Sequence, residues 1–350
     1  MYYNKRALKG QIHPISEGVS FLFETKILKS GQGSFSTEEQ IASTVNEGLT
    51  RKNKCLPSWL IFDSAGSEIF KKITELDGYL PAACEFEIIR NHKNDIAKLI
   101  KSDTFNLIEL GSGDGCKTRI LIEHFLIQKL NFHYFPIDIS NGAVTNLVRS
   151  LENDHPDTSL NVTGLTGDYF EGLKTITQDD SKQNLVLFLG VTLNNMDSES
   201  AHSFIKSLRA SLGPKDYLLT GFDLMKNPKL LYSAYNNALF EEFNLHLLDR
   251  LNQELGANFN KKHFVQQGQY NASTRAVDSY LYSTRDQTVH IKALNKDFHF
   301  KAWEAMQTEQ SFKFTLEEMK SLAVENGFEV VENLFDSKKY FVDSIWKVAL

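Results

Sequence analysis

NLIELGSGDGCKTRILIEHF, Asn106 to Phe125, passes from an apolar run through a glycine-rich turn into an amphipathic segment. Gly111, Gly113 and Gly115 alternate with other residues, a pattern that lets a chain turn tightly and bring its N–H groups against a ligand. Between a first strand and a helix, such a turn occupies the nucleotide-handling position of a doubly wound sheet. The spacing is ExGxGxG, beginning at Glu109. Cys116 stands where a GxGxxG pattern counted from Gly111 would need its last glycine, which weighs against a dinucleotide.

The surrounding sequence carries the same alternation. FNLIEL (105–110), FHYFPIDIS (132–140), LNVTGLTGDY (160–169), NLVLFLG (184–190) and DYLLTGFDL (216–224) read as buried strands. Helices are predicted over 117–130, 142–153 and 200–213, so the strands form a parallel sheet covered on both faces. Before this unit, helices are predicted from Ser36, with Ser36 or Thr37 as cap, over 66–76 and over 83–100. After it, 228–256 reads as one long helical stretch. The segments 276–284 and 288–294 read as adjacent strands of a hairpin joined by RDQ. A helix over 315–327 with a glycine cap and two further strands close the chain.

Composition narrows the class. The 350 residues are 41% hydrophobic, enough for a large core, and carry a net charge of −6. That balance argues against a nucleic-acid partner, which needs a basic face. Three cysteines, Cys55, Cys84 and Cys116, show no metal-ligand spacing and fit a reducing compartment. The opening MYYNKRALKG lacks a signal-peptide core, and no run approaches a membrane span. The expectation is a cytoplasmic protein acting on a small molecule, a monomer with no metal, no nucleic acid and no membrane partner.

Ligands of such sheets bind outside the carboxyl ends of the strands. Asp138, ending the second strand, is placed to accept from ribose hydroxyls, although an acid there serves helix capping equally well. Asp168 can accept from an adenine amino group and Tyr169 can cover the ring. FLGVTLNNM, after the fourth strand, would flank the reacting centre. Spacing and acids together are closest to the loop of S-adenosylmethionine (SAM) methyltransferases.

From about Leu56 onward the chain resembles the SAM-dependent histidine Nα-methyltransferases of ergothioneine biosynthesis, a group that extends to fungal N-methyltransferases of tryptophan derivatives. WLIFDSAGSEIFKKITELDGYLP, IELGSGDGCKTR, YFPIDIS, FLGVTLNNM, LTGFDLMKNPKLLYSAYNN, FNLHLLDRLNQELGANF and MQTEQSFKF carry the resemblance. It implies cofactor contacts at Gly111, Gly113, Lys117, Asp138, Asp168 and Tyr169, with Lys117 pairing the cofactor carboxylate. It also implies that Tyr79 and Tyr235 hold the substrate carboxylate, that Asn195 orients the amine beside Gly190, and that Glu309 and Ser311 read an imidazole. Asn195 and Tyr79 are the implied catalytic pair. Read without the resemblance, Glu309 and Ser311 fit an exposed turn, and Asn195 a helix cap. Two departures stand out: Phe62 where the family has tyrosine, and Ser279 where it has methionine.

The resulting expectation is an α/β fold, a Rossmann-like doubly wound SAM methyltransferase sheet with an additional α+β substrate-binding domain. Its parts are an irregular lead-in (1–35), a helical segment serving the substrate domain (36–100), a SAM-binding core (101–226), a substrate-binding insertion (227–314) and a C-terminal helix and strands completing the core (315–350). The expected reaction is in-line methyl transfer from SAM to the α-amine of a free amino acid, L-histidine first, yielding up to the trimethyl betaine. Another aromatic amino acid or derivative, or SAM binding without catalysis, are the alternatives.

Overall fold

The computed structural model describes residues 23–28, 38–156, 160–177 and 181–349. β1 (Phe23–Ile27), α1 (Glu38–Thr50), β2 (Lys54–Cys55), α2 (Ser64–Thr74) and α3 (Leu80–Ala97) precede the glycine loop. β3 (Thr104–Leu110), α4 (Cys116–Ile127), β4 (Asn131–Asp138), α5 (Asn141–Asp154) and β5 (Asn161–Thr166) then alternate. The alternation continues through α6 (Tyr169–Ile176), β6 (Gln183–Phe188), α7 (Ser198–Ala210) and β7 (Tyr217–Asp223). α8 (Pro228–Ala234), α9 (Ala238–Leu255), β8 (Phe264–Asn271), β9 (Ala276–Ser283), β10 (Gln287–Ile291), β11 (Lys296–Phe300) and β12 (Ala305–Phe312) follow. α10 (Leu316–Glu325), β13 (Phe328–Phe335) and β14 (Phe341–Val348) close the chain.

Eight strands form one sheet in the order β1-β5-β4-β3-β6-β7-β14-β13. Pairs from β1 through β7 are parallel, and β14 runs antiparallel to both its neighbours. Alternate residues of β3 serve opposite faces: Phe105 and Leu107 pack with α3, α4 and α5, whereas Ile108 and Leu110 pack with α6, α7 and α10. Both faces are therefore apolar, which is why the strands read as continuous runs. A second sheet, β2-β12-β9-β8, and the ribbon β10-β11 share a separate core with α1, α2 and α9.

Several expectations change. Residues 23–27, assigned to an irregular lead-in, pair along β5 as an edge strand; the caps expected at Ser36 or Thr37 lie outside the described residues. α3 packs mainly on the large sheet, and only its start, at Ala82, joins the core of α1 and α2. The hairpin of 276–284 with 288–294 does not form. Both edges of β9 are taken by β8 and β12, and β10 pairs with β11 instead. The long helix over 228–256 is two helices, because Asn237 accepts from the N–H groups of Leu239 and Phe240, both at 3.1 Å, and starts α9 afresh. The break leaves Tyr235 buried, its hydroxyl 2.9 Å from Ser311 Oγ.

Candidate active site

The glycine loop follows β3 with Gly111, Gly113 and Gly115 all in the left-handed region, at φ 74°, 52° and 65°. Side chains are disfavoured there, and at Gly111 space is also closed, since a Cβ would lie 2.8 Å from the Tyr169 hydroxyl. The Gly111 N–H donates to the carbonyl of Ile137 at 2.8 Å. Asp138 is held to the loop, its Oδ2 accepting from Gly113 N–H at 3.0 Å and its Oδ1 from Ser140 N–H at 2.9 Å. Each oxygen keeps a lone pair, so the carboxylate retains capacity for two ribose hydroxyls. Asp168 caps α6, with Oδ1 accepting from Phe170 and Glu171 N–H groups at 2.9 and 3.2 Å. A glycine floor, a carboxylate at one strand end and an aromatic ring across the loop fit the nucleoside of SAM.

Glu109, the acid of the loop motif, faces away from this floor. Thr118 donates to its Oε1 at 2.6 Å and Tyr134 donates to its Oε2, so it braces β3, α4 and β4 together. Burial raises its carboxyl to about 7 despite those donors.

Lys117, expected at the cofactor carboxylate, is paired with Glu85 of α3. Glu85 is fully buried, and its other oxygen accepts from Gly190 N–H at 2.6 Å. Gly190 itself has φ 83°. Glu85 thus fixes both the ammonium and the wall beside it. Asp343 lies next to this cluster; burial first, and then the charge of Glu85, push its carboxyl well above the usual carboxylate range. Nothing in the local sequence of α3 marks Glu85; only the packing of α3 on the large sheet reveals it.

Tyr79, Tyr235, Ser311, Glu309 and Ser279 are buried close together where β12 and β9 meet the segments before α3 and after α8. Tyr79, the residue before α3, and Tyr235 have ring centroids 6.5 Å apart, and Phe240 lies 4.9 Å from Tyr235. Phe62 is anchored edge-on against Phe70 and Phe243, both at 5.2 Å, so its ring belongs to an apolar wall. Glu309 and Ser279 are cross-strand partners on β12 and β9. Both are buried, and Glu309 Oε2, Ser279 Oγ and Asn195 Oδ1 meet no protein donor or acceptor. Burial raises the Glu309 carboxyl to about 7, opposed by the charge of Lys313.

The segment TEQS is therefore a buried strand and not an exposed turn. Pairing shifts between Gln307 and Glu309, so Thr308 is an extra residue and both it and Glu309 are inside. Two further residues belong to this corner. Asn194 donates to the carbonyls of Asp223 (3.2 Å) and Phe312 (2.6 Å), tying β7 to β12. Lys313 is fully buried beside Ser311 and Tyr235. Alternation from Glu309 and Ser311 would have pointed to Lys313 had β12 been recognised as a strand.

A parallel sheet with an antiparallel β14 beside β7 and a glycine loop after its first central strand fit a SAM-dependent methyltransferase. Comparison with known proteins narrows the class. A family model described as histidine-specific methyltransferase, SAM-dependent, matches residues 41–348, and the chain belongs to that family. It is 32% identical over 294 residues to a histidine N-alpha-methyltransferase of Mycolicibacterium smegmatis, covering 83% of this chain and 90% of that protein. A protein of the same name from Mycobacterium tuberculosis is 31% identical, covering 77% and 83%. Ergothioneine biosynthesis protein 1 of Schizosaccharomyces pombe is 28% identical over 284 residues, which span 79% of this chain and 36% of that protein.

Proposed function

We propose that the enzyme methylates the α-amine of free L-histidine, up to the trimethyl betaine. The observation that carries the reading is Glu309, a buried carboxyl whose Oε2 meets no protein donor, two residues from Ser311 on the same strand. A native interior tolerates such an atom where a ligand completes it. An imidazole offers a donor and an acceptor to this pair, whereas an indole has no use for a second acceptor-rich contact.

SAM supplies the methyl group, carried on a sulfonium. Gly111, Gly113, Asp138, Asp168 and Tyr169 would hold its nucleoside, and Lys117, through the ammonium hydrogens that Glu85 leaves, its carboxylate. Tyr79 and Tyr235 would close around the amino-acid end of the substrate, with Phe62, Gly190 and Ser279 lining the space. Asn195 Oδ1 would accept a hydrogen from the neutral amine and so aim its lone pair, the proton having gone to water. Positioning of this kind contributes on the order of 7–11 kcal/mol in favourable cases. The proposal places the 36–100 and 227–314 segments, less α3, on the substrate side, and envisages a cytoplasmic monomer without nucleic-acid or membrane partners.

Mass spectrometry of reactions with SAM and a panel of free amino acids tests the acceptor. Histidine is expected to gain methyls; an unmodified histidine beside a methylated indole or phenol amino acid would overturn the reading. Asn195→Ala should lower turnover about 10- to 100-fold, the cost of one oriented hydrogen bond in the transition state. Its SAM affinity, measured by calorimetry, should stay within about threefold.

A further inference from the structure

We propose that Lys313 is a positioning residue that sets the hydrogen-bonding polarity of the acceptor cleft, leaving the Tyr235–Ser311 pair with one hydrogen to give a ligand. The inference rests on reading this cleft as the acceptor site. Lys313 Nζ lies 3.0 Å from Asp223 Oδ2, 2.6 Å from Ser311 Oγ and 3.1 Å from Tyr235 Oη. An ammonium has three N–H donors. Two of them go to Ser311 and Tyr235, and the charge is paired with the Asp223 carboxylate, so Lys313 acts through the two hydroxyls.

The count then follows. Each hydroxyl brings one hydrogen and two lone pairs, and one lone pair of each accepts from Lys313. The oxygens of Tyr235 and Ser311 are 2.9 Å apart and share one O–H···O bond. One hydroxyl hydrogen is thereby consumed and one faces the cleft, accompanied by one free lone pair on the other oxygen. Burial first, and then the charges of Asp223 and Glu309, hold the Tyr235 phenol well above its ordinary pKa, so it keeps its hydrogen. Whichever oxygen gives it, the outward hydrogen needs an acceptor atom on the ligand, and the remaining lone pair needs a donor. With Glu309 beside them, the pair selects a ligand with mixed donors and acceptors and penalises one whose edge is apolar.

Removing Lys313 does not strand Asp223, because Lys226 pairs with its other oxygen. Lys313→Met can therefore be read against Ser311→Ala and the double variant in steady-state kinetics. Lys313→Met is expected to raise the KM for the acceptor about 10- to 100-fold and the KM for SAM no more than about threefold. In the Ser311→Ala background the same change should cost at most about a further threefold, because its target is gone. Lys313→Gln, which keeps two N–H donors, should recover part of the loss. Additive losses in the double variant, or equal shifts in both KM values, would overturn the proposal. If Lys313→Met gives no cooperative melt, the cycle is run with Lys313→Gln. Should the wild type methylate another amino acid, the histidine reading fails by itself, and the cycle run on that acceptor still decides the role of Lys313.

Discussion

Glu309 shows how one side chain can be costly to the fold and useful to the site. Its carboxyl stands at about 7 in the folded chain against an ordinary 4.5, chiefly through burial. A raised carboxyl opposes folding when it ionises; that cost is absent below about pH 4.5 and complete above about pH 7. The difference corresponds to about 3 kcal/mol at alkaline pH. Glu309→Gln is therefore expected to stabilise the ligand-free protein at pH 8 by roughly 1–3 kcal/mol, with the gain vanishing near pH 4.5. Thermal melts at the two pH values check this. The same variant should raise the histidine KM, since an amide gives a hydrogen where a carboxylate takes one. Glu109, also near 7, is common to both proteins and drops out of the comparison.

Elements place these residues by how they end. β3 ends in a loop whose left-handed glycines bring Gly113 N–H onto Asp138, and α6 begins where Asp168 caps it, bringing Tyr169 across Gly111. Gly111→Ala meets two penalties at once, a strained φ of 74° and a Cβ 2.8 Å from the Tyr169 hydroxyl. It should weaken SAM binding at least about tenfold through a displaced Tyr169, corresponding to about 1.4 kcal/mol, with near-native circular dichroism. Titration calorimetry measures it. The α8–α9 break works similarly: Asn237 restarts the helix, and Tyr235, just before it, turns inward instead of continuing a helical face. The helical run was legible from 228 to 256; the break was not, because Tyr235-Asn236-Asn237 contains neither glycine nor proline and Asn is tolerated inside helices.

At the scale of the whole molecule, the proposed acceptor site depends on two sheets keeping a fixed relation. Asn194 fastens them, donating to the backbone of both β7 and β12 and accepting from Asp223 N–H at 3.2 Å. Phe314 N–H, just beyond β12, adds a bond to Asp223 O at 3.1 Å. Asn194→Ala would leave buried backbone groups unpaired and is expected to cost about 2–4 kcal/mol. Denaturant unfolding should show the loss. The histidine KM should rise more than the SAM KM, since Asn194 holds β12, which carries Glu309 and Ser311.

The five central parallel strands, the glycine loop and helices α4, α5 and α7 were readable directly, because buried parallel strands are uniformly apolar and tight turns demand glycine; α6 and the edge strand β1 were not. Family motifs in the sequence implied Asn195, Tyr79, Tyr235, Glu309 and Ser311 as a set. Their arrangement was not readable. β12 is polar on its buried side at Glu309 and Ser311, and Lys313 just beyond it is buried too, so the segment lacks the apolar alternation that announces a strand. The partners of Lys313 and Glu85 come from distant segments of the chain, Asp223 and Tyr235 for one and Lys117 and Gly190 for the other. Local pattern reports which face of an element is apolar; it carries no record of which buried polar groups meet, because that meeting is decided by how distant segments pack.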